Sequence, residues 1–408
     1  MKILQVNCVY QKGSTGKIVF DIHKELQKQG VTSVVCYGRG KVVHEPNVYK
    51  TCGEIYSKCN NALTRITGLM YGGCFFSTNR LLRIIRKERP DVVHLHCING
   101  YFVNIYWLVT WLKKHHIKTV LTLHAEFMHT ANCGHAFDCD RWKTGCGSCP
   151  RLQKETKSLF LDNTALSYRK MQKAFTGFND DLIVTSVSPW LMERAMQSPI
   201  LAGKQHCVVL NGVDTDIFHP YGTADLRKKH GLTDEKVIFH ATAHFSADPT
   251  HIKGGYYVLK LAEALQSENV KVFVAGTCDE NIQAPDNVIF LGKLTDQALL
   301  AKYYSMADVT VLTSQKETFS MVTAESLCCG TPVVGFQAGG PEQITIKEYS
   351  DFVPYGDFDV LNAAIVQKLH TTDSSSQIGK EAAKKYSRDT MTEGYLSCYR
   401  ESLRKDSE

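Results

Sequence analysis

The sequence predicts an α/β protein built from two doubly wound, Rossmann-like domains that face each other across a cleft. Three observations predict it. Short apolar runs alternate with amphipathic, helix-length segments along almost all of the 408 residues. The runs ("KILQVN", "DVVHLH", "TVLTL", "LIVTSV") are nearly continuous in apolar side chains, the mark of parallel strands buried on both faces. The pattern restarts near residue 201, giving two halves of similar size, each large enough for its own core.

In the first half, "MKILQVNCVY" reads as a strand and "GKIVFDIHKELQKQG" as a helix stopped by glycine. "VTSVVCYG" is a second strand. "STNRLLRIIRKERP" is a helix expected to open on a Ser or Thr cap and to stop before Pro90. "DVVHLH", the helix "YFVNIYWLVTWLKKHH" and "KTVLTLHAE" follow, then a helix around Leu159 to Phe175 and the strand "DLIVTSVSPWL". The second series is expected to open at "HCVVLNGVDTDIF". It runs through "KVIFHATA", "GGYYVLKLAEALQ", "VKVFVAG", "NVIFLGKL", "DQALLAKYYSMA", "VTVLTS" and "AAIVQKLH". The expected domains are 1–200, with a cysteine-rich insertion at 131–150, then 201–375, and a polar helical tail at 376–408.

Bulk properties exclude some classes. Hydrophobic content of 43% and charged content of 22% are ordinary for a globular protein. A net charge of +6 is too small to argue for nucleic acid, though it favours anionic surfaces and ligands. No run approaches the ~18 apolar residues of a spanning helix. "IYWLVTWLKKHH" reads as a buried amphipathic helix rather than a membrane contact. The N-terminal segment reads as a strand and not as a secretory signal, so a cytoplasmic protein is expected. Among the fifteen cysteines, Cys8, Cys36, Cys207, Cys328 and Cys329 sit in apolar elements, as free thiols do in a reducing compartment.

Ligands of open parallel sheets bind beyond the carboxyl ends of the strands, and here the chemistry-bearing residues follow strands. The stretch "KETFSMVTAESLCCGTPVVGFQAGGPEQI" begins at Lys316. Glu317 falls in the loop after a strand and Glu325 two turns into the next helix. Both carboxylates could accept hydrogen bonds from vicinal hydroxyls of a sugar or ribose. The amides of Phe319, Ser320 and Met321 open that helix and favour electron-rich oxygen. "THIKGGYY" puts Lys253 at a glycine-rich helix start, a combination suited to a diphosphate. "QKGSTGKIV" follows the first strand, with Gly13 and Gly16 permitting close backbone approach. His94, His96 and His124 end strands; His94 reads as a core histidine.

The stretch from Glu317 to Ile344 resembles the signature of retaining glycosyltransferases of the GT-B fold, family 4: Glu, seven residues, Glu, then Gly-Thr-Pro-Val-Val and a Gly-Gly-Pro-Glu loop. The resemblance extends over nearly the whole chain. It implies that Glu317 orients the transferred sugar, Glu325 holds ribose and Lys253 holds donor phosphate. It also implies that His124 lines the sugar pocket and that Gly16 lies against the donor diphosphate, with Gly13 and His96 on the acceptor side. Asn211, in "VVLNGVDTDIF", matches a family segment and is read as mainly architectural. Two departures stand out. The family's phosphate-binding arginine is missing from "HATAHFSADPTHIKGG", where His244 and His251 are the nearest substitutes. The aspartate that usually follows His124 is replaced by Ala125 and Glu126.

"ANCGHAFDCDRWKTGCGSCP" holds Cys133, Cys139, Cys146 and Cys149. Three readings stand: a structural zinc site, packed free thiols, or a redox disulfide, with zinc first in a reducing compartment. A subset of polysaccharide-assembling family 4 enzymes resembles the chain here too.

The resemblance thus implies a retaining transfer from a nucleotide-diphosphate sugar to a glycan, often lipid-linked, in capsule or exopolysaccharide biosynthesis. No cofactor is expected in catalysis, and a peripheral contact with the inner membrane is the expected location of the acceptor end. A nucleotide-sugar epimerase and a non-catalytic nucleotide-sugar-binding protein on the same scaffold are the alternatives.

Overall fold

A computed structural model describes residues 1–371 and 373–404. The chain divides into two compact units. The first comprises residues 1–210 and the chain from Met391, and the second comprises Asn211–Thr390.

The first unit holds a seven-stranded sheet of β1 (Lys2–Asn7), β2 (Thr32–Tyr37), β3 (Val48–Lys50), β4 (Val92–Leu95), β5 (Thr119–Leu123), β6 (Leu182–Ser186) and β7 (Gln205–Val208). The strand order is β3-β2-β1-β4-β5-β6-β7, and every pairing is parallel. Its core joins Ile3, Val92, Val120 and Ile183 of the strands to Ile18, Ile22 and Leu26 of the helix Gly13–Lys28.

The second unit holds β8 (Lys236–Phe245), β9 (Val270–Cys278), β10 (Val288–Gly292), β11 (Val309–Leu312), β12 (Val333–Phe336) and β13 (Ser350–Val353). They form a parallel six-stranded sheet in the order β10-β9-β8-β11-β12-β13. Chain order therefore reverses between β8 and β11, and that is where an open α/β sheet leaves a crevice beyond its strand ends.

The alternation and the doubly wound class are as the sequence predicts. Several details differ. The segment expected to open the second series forms β7 instead, the edge of the first sheet, hydrogen-bonded to β6. The unit boundary accordingly falls at Asn211 rather than residue 201. The expected separate tail is divided. The helix Ser375–Tyr386 belongs to the second unit, whereas the helix Arg388–Arg404 returns to the first unit from Met391. There Tyr395, Leu396 and Tyr399 are buried in the core, so this helix is structural and not a polar appendage.

The helix Phe75–Glu88 opens on Cys74 in the left-handed region (φ 62°), with no side-chain cap. Ser77 and Thr78, the expected caps, lie one turn later and donate their hydroxyls to the Cys74 carbonyl. Among the elements with no counterpart in the sequence reading are β3, β13 and the helix Glu54–Thr67. That helix buries Ser57, Asn60 and Thr64 while exposing Ile55, Leu63 and Ile66, which inverts the usual pattern.

Candidate active site

At the β8/β11 reversal, the second unit has a cavity of about 370 Å³. It is built from the carboxyl ends of four strands. Ala241, Thr242 and Ala243 come from β8, Ala275 and Gly276 from β9, and Leu312 and Ser314 from β11 and the residues after it. Lys293 and Leu294 follow β10. The small side chains keep this floor open. Gly276 has φ +149°, and a Cβ there would lie 2.3 Å from the Thr242 carbonyl oxygen, so no larger residue fits.

Three sequence-predicted residues converge on the cavity: Lys253, Glu317 and Glu325. The Lys253 ammonium donates to Glu317 Oε1 at 2.6 Å. Lys253 is aimed by its surroundings, since its carbonyl accepts from the Thr313 hydroxyl. Gly254 (φ +66°) packs so tightly on Thr313 that a Cβ would meet the Thr313 carbonyl oxygen at 2.1 Å. Glu317 is fixed by its own backbone: its N–H donates to the Ala338 carbonyl, and its carbonyl accepts from the Gly340 N–H. Glu342 in turn accepts from the Ala338 and Gly339 amides, so the Gly-Gly-Pro-Glu loop clamps the segment that carries Glu317.

Glu325 lies on the helix Met321–Cys328 and accepts from the Tyr304 hydroxyl at 3.3 Å. Burial, with the Glu325 charge beside it, holds the Tyr304 phenol well above its ordinary range, so Tyr304 remains a donor. Phe319 and Ser320 support the site without lining the cavity. Phe319 is buried, and the Ser320 hydroxyl oxygen accepts from the Thr323 amide at 3.2 Å as the helix N-cap. Ser320 has φ 81° and ψ 92°, strained for a non-glycine residue and held at the mouth of the helix.

Neither expected histidine substitute lines the cavity. The His244 ring meets Asp279 Oδ1 at 2.8 Å and Thr277 Oγ1 at 3.0 Å, and His251 packs edge-on against it. Lys293 is the second cation at the cavity wall. The sequence reading missed both Lys293 and Tyr304. They sit in segments whose pattern announces only a strand end and a helix, and nothing local marks them.

In the first unit, the helix starts at Gly13 (φ +65°), which puts Gly16 inside its first turn. A Cβ on Gly16 would lie 3.0 Å from the Val9 side chain, so the glycine lets the helix press against the β1 loop. Beside this turn, a cavity of about 450 Å³ is lined by Cys8, Val9, Lys12, Arg39, Gly40, Lys41 and Glu54.

His94, His96 and His124 form a column at the ends of β4 and β5. His94 is bonded to the Tyr399 hydroxyl (2.6 Å) and the Thr122 hydroxyl (2.7 Å), a satisfied core histidine as expected. His96 Nδ1 meets His124 Nε2 at 3.2 Å. His96 is fully buried and therefore stands behind His124 instead of facing an acceptor. Burial holds His94 and His96 well below the ordinary imidazole range and brings His124 down to about 4, so all three are neutral at pH 7.

Glu126 does not reach outward. Burial raises its carboxyl, but His129, Arg194 and the Ala136 amide outweigh that and bring it down to about 2. Its Oε2 accepts from the Ala136 N–H at 2.7 Å and thereby ties the cysteine-rich insertion to β5. Within that insertion Cys133, Cys139, Cys146 and Cys149 all border one cavity of about 20 Å³, beside the buried Trp142. All four are free thiols. Among the described residues, however, no three His, Cys, Asp or Glu side chains are grouped closely enough to hold a metal ion. Burial pushes the Cys133 and Cys149 thiols up, and Cys146 to about 11.

Two doubly wound units and a crevice with paired lysine and carboxylates at strand ends define the GT-B class, and comparison with known proteins agrees. The sequence model of the Glycosyltransferase Family 4 matches residues 15–217, and that of Glycosyl transferases group 1 matches residues 223–385. The chain belongs to the family 4 glycosyltransferases of the GT-B fold, and is a glycosyltransferase. It is 24% identical to the putative colanic acid biosynthesis glycosyl transferase WcaC of Escherichia coli, over 98% of this chain and 99% of that one. It is 22% identical to the N-acetyl-alpha-D-glucosaminyl L-malate synthase of Bacillus anthracis, over 98% and 97%. Among solved structures it is similar to Anabaena HepE in complex with UDP, with TM-score 0.64, 17% identity and coverage of 98% and 100%. A glycosyltransferase from Rickettsia africae has TM-score 0.66, 16% identity and coverage of 99% and 98%.

Proposed function

We propose that this glycosyltransferase moves a sugar from a nucleotide-diphosphate donor to a glycan acceptor with retention of anomeric configuration. The observation that carries the reading is the second unit's cavity, where Lys253, Glu317, Glu325 and Tyr304 converge beyond the strand ends. The donor lies there with its ribose hydroxyls on Glu325, its diphosphate on Lys253 with Lys293, and its sugar hydroxyls on Glu317. The UDP-bound Anabaena structure, similar in fold, supports a nucleotide donor.

In the transfer, the bond between the anomeric carbon and the phosphate oxygen breaks. The acceptor hydroxyl oxygen bonds to the same face, and its proton passes to the departing phosphate oxygen, leaving the nucleoside diphosphate. The protein's part is positioning and charge neutralisation. Lys253 neutralises the leaving group and Glu317 fixes the sugar. Within the first unit, the neutral His124 imidazole and the turn holding Gly13 and Gly16 are the proposed substrate contacts.

The acceptor is a lipid-linked glycan in cell-surface polysaccharide assembly, used at the cytoplasmic face of the membrane. The name of the colanic acid relative supports the pathway class, and the basic cavity at Lys12, Arg39 and Lys41 suits an acceptor diphosphate. Proton NMR of the product of a reaction with nucleotide sugar and acceptor tests the reading. Transfer with an unchanged anomeric configuration is expected. An inverted product, or donor isomerised without any acceptor, overturns it in favour of another mechanism or an epimerase.

The four cysteines are proposed to hold a structural zinc outside catalysis. Their shared cavity supports this, although their sulfurs would have to close in to about 2.3 Å from the ion.

A further inference from the structure

The helix Glu54–Thr67 is inside out. Its polar face is docked by hydrogen bonds. The Ser57 hydroxyl donates to the Gly100 carbonyl at 3.2 Å, and Asn60 Oδ1 accepts from the Cys74 amide at 2.7 Å. Its apolar face looks outward, with Ile55 80% exposed and Leu63 and Ile66 more than half exposed.

These side chains do not stand alone. Phe75 and Phe76 begin the next helix and are exposed, Phe76 at 81%. The Phe76 ring lies 5.9 Å from that of Tyr56, and the Phe75 ring 6.4 Å from that of the half-exposed Trp107. On the other side, the Leu159 amide donates to the Arg65 carbonyl at 2.8 Å, and Gly68 presses on the Leu161 carbonyl. This places the exposed triplet Leu159, Phe160 and Leu161 against the same helix, with Phe160 77% exposed. Isolated exposed apolar residues are normal, but an apolar face assembled from four chain segments is not.

The charge on this face is mostly positive. Lys58 and Arg65 project from the helix among its apolar residues, and Lys157 precedes the triplet. Among the described residues none of the three has an ion-pair partner. The helix's one carboxylate, Glu54, is taken by Arg39 and the Gly40 amide. The carboxylate after the triplet, Asp162, accepts from the Cys149 and Thr164 amides. Among the described residues no helix is long and apolar enough to cross a membrane.

We propose that this face docks on the surface of a bilayer containing anionic phospholipid, with Ile55, Phe76 and Phe160 inserted at the headgroup boundary and Lys58, Arg65 and Lys157 against the lipid phosphates. Protruding apolar tips ringed by unpaired cations are the features such a surface selects. The proposal deepens the membrane-side location put forward above. It also gives the basic Lys12–Arg39–Lys41 cavity a place, because Glu54, which begins the docking helix, also lines that cavity.

Co-sedimentation tests it, using phosphatidylcholine vesicles and vesicles of phosphatidylglycerol and phosphatidylcholine in equal parts. Wild type should pellet with the anionic vesicles and remain largely free of the neutral ones. The triple variant Ile55→Ser, Phe76→Ser, Phe160→Ser should lose at least about tenfold in partition, and Lys58→Glu with Arg65→Glu more than about tenfold, with the residual binding less salt-sensitive. All three proteins should retain equal donor turnover with a soluble acceptor. Wild type that turns over donor but ignores anionic vesicles overturns the docking face and leaves the enzymatic reading intact. Unchanged vesicle binding by the triple variant overturns it as well. So does a wild type that elutes as a dimer while the triple variant elutes as a monomer, since a second copy would then cover the face.

Discussion

Lys253 and Glu317 hold each other at 2.6 Å, 64 positions apart in the chain. Each is proposed to meet a different part of the donor, and a bound diphosphate would then compete with the carboxylate for the ammonium. Lys253→Ala should therefore lower kcat/KM by ~10–150-fold, the value of a hydrogen bond to a charged group at ~1.5–3 kcal/mol. A variant within threefold of wild type would place the phosphate cation elsewhere. Glu317→Gln should lower transfer far more than it weakens binding of the free nucleoside diphosphate; equal losses would mean that Glu317 is not a sugar contact.

Lys293 and the two histidines near Lys253 make opposite predictions. Lys293 lines the cavity, whereas His244 is engaged by Asp279 and Thr277. Lys293→Ala should cost roughly tenfold in kcat/KM. His244→Gln and His251→Gln should each stay within about threefold. A loss of about tenfold or more in His251→Gln would restore the histidine as the second cation.

The fold and most of the second unit's cavity were legible because they rest on local pattern. Parallel strands announce themselves as apolar runs, and the run from Glu317 to Glu342 carries the loop, helix and clamp in one continuous segment. What stayed hidden depends on long-range pairing. Tyr399 meets His94 across 305 positions, which turns an apparent tail into core. β7 and β13 are edge strands whose membership is decided by their neighbour, not their composition. The helix Glu54–Thr67 escaped because its apolar stripe faces outward, so its periodicity does not predict burial. Lys293 and Tyr304 reach the cavity only once β10 and the helix Gln297–Met306 are in place.

The histidine column predicts acid sensitivity. His94, His96 and His124 are neutral in the fold, with His124 at about 4 and the other two well below the unfolded value near ~6.5. The unfolded chain therefore binds protons first as pH falls. The stability of keeping these rings neutral is complete above ~6.5 and is lost progressively toward 4, at up to ~1.4 kcal/mol per pH unit for each ring. Melting temperature should hold steady above neutrality and fall steeply below ~6.5, and His124→Gln should reduce the slope. A flat profile down to about pH 5 would show that the rings are protonated in the fold.

For the cysteine insertion, protein purified without added zinc should carry about one zinc per chain. The metal should be lost in Cys146→Ser with Cys149→Ser, and that variant should melt at a lower temperature. Metal-free wild type that melts normally, with four titratable thiols in the insertion, would show packed free cysteines instead.

The central claim is that the β8/β11 cavity is the donor site. A thermal-shift titration with uridine, guanosine and adenosine diphosphates, run on wild type and on Glu325→Ala, tests it most directly. One nucleotide should stabilise wild type by ~2.7 kcal/mol at ~100 times its dissociation constant. Glu325→Ala, which removes the carboxylate facing Tyr304, should require far more nucleotide for the same shift. Equal stabilisation of both proteins, or none by any of the three nucleotides, would contradict the claim.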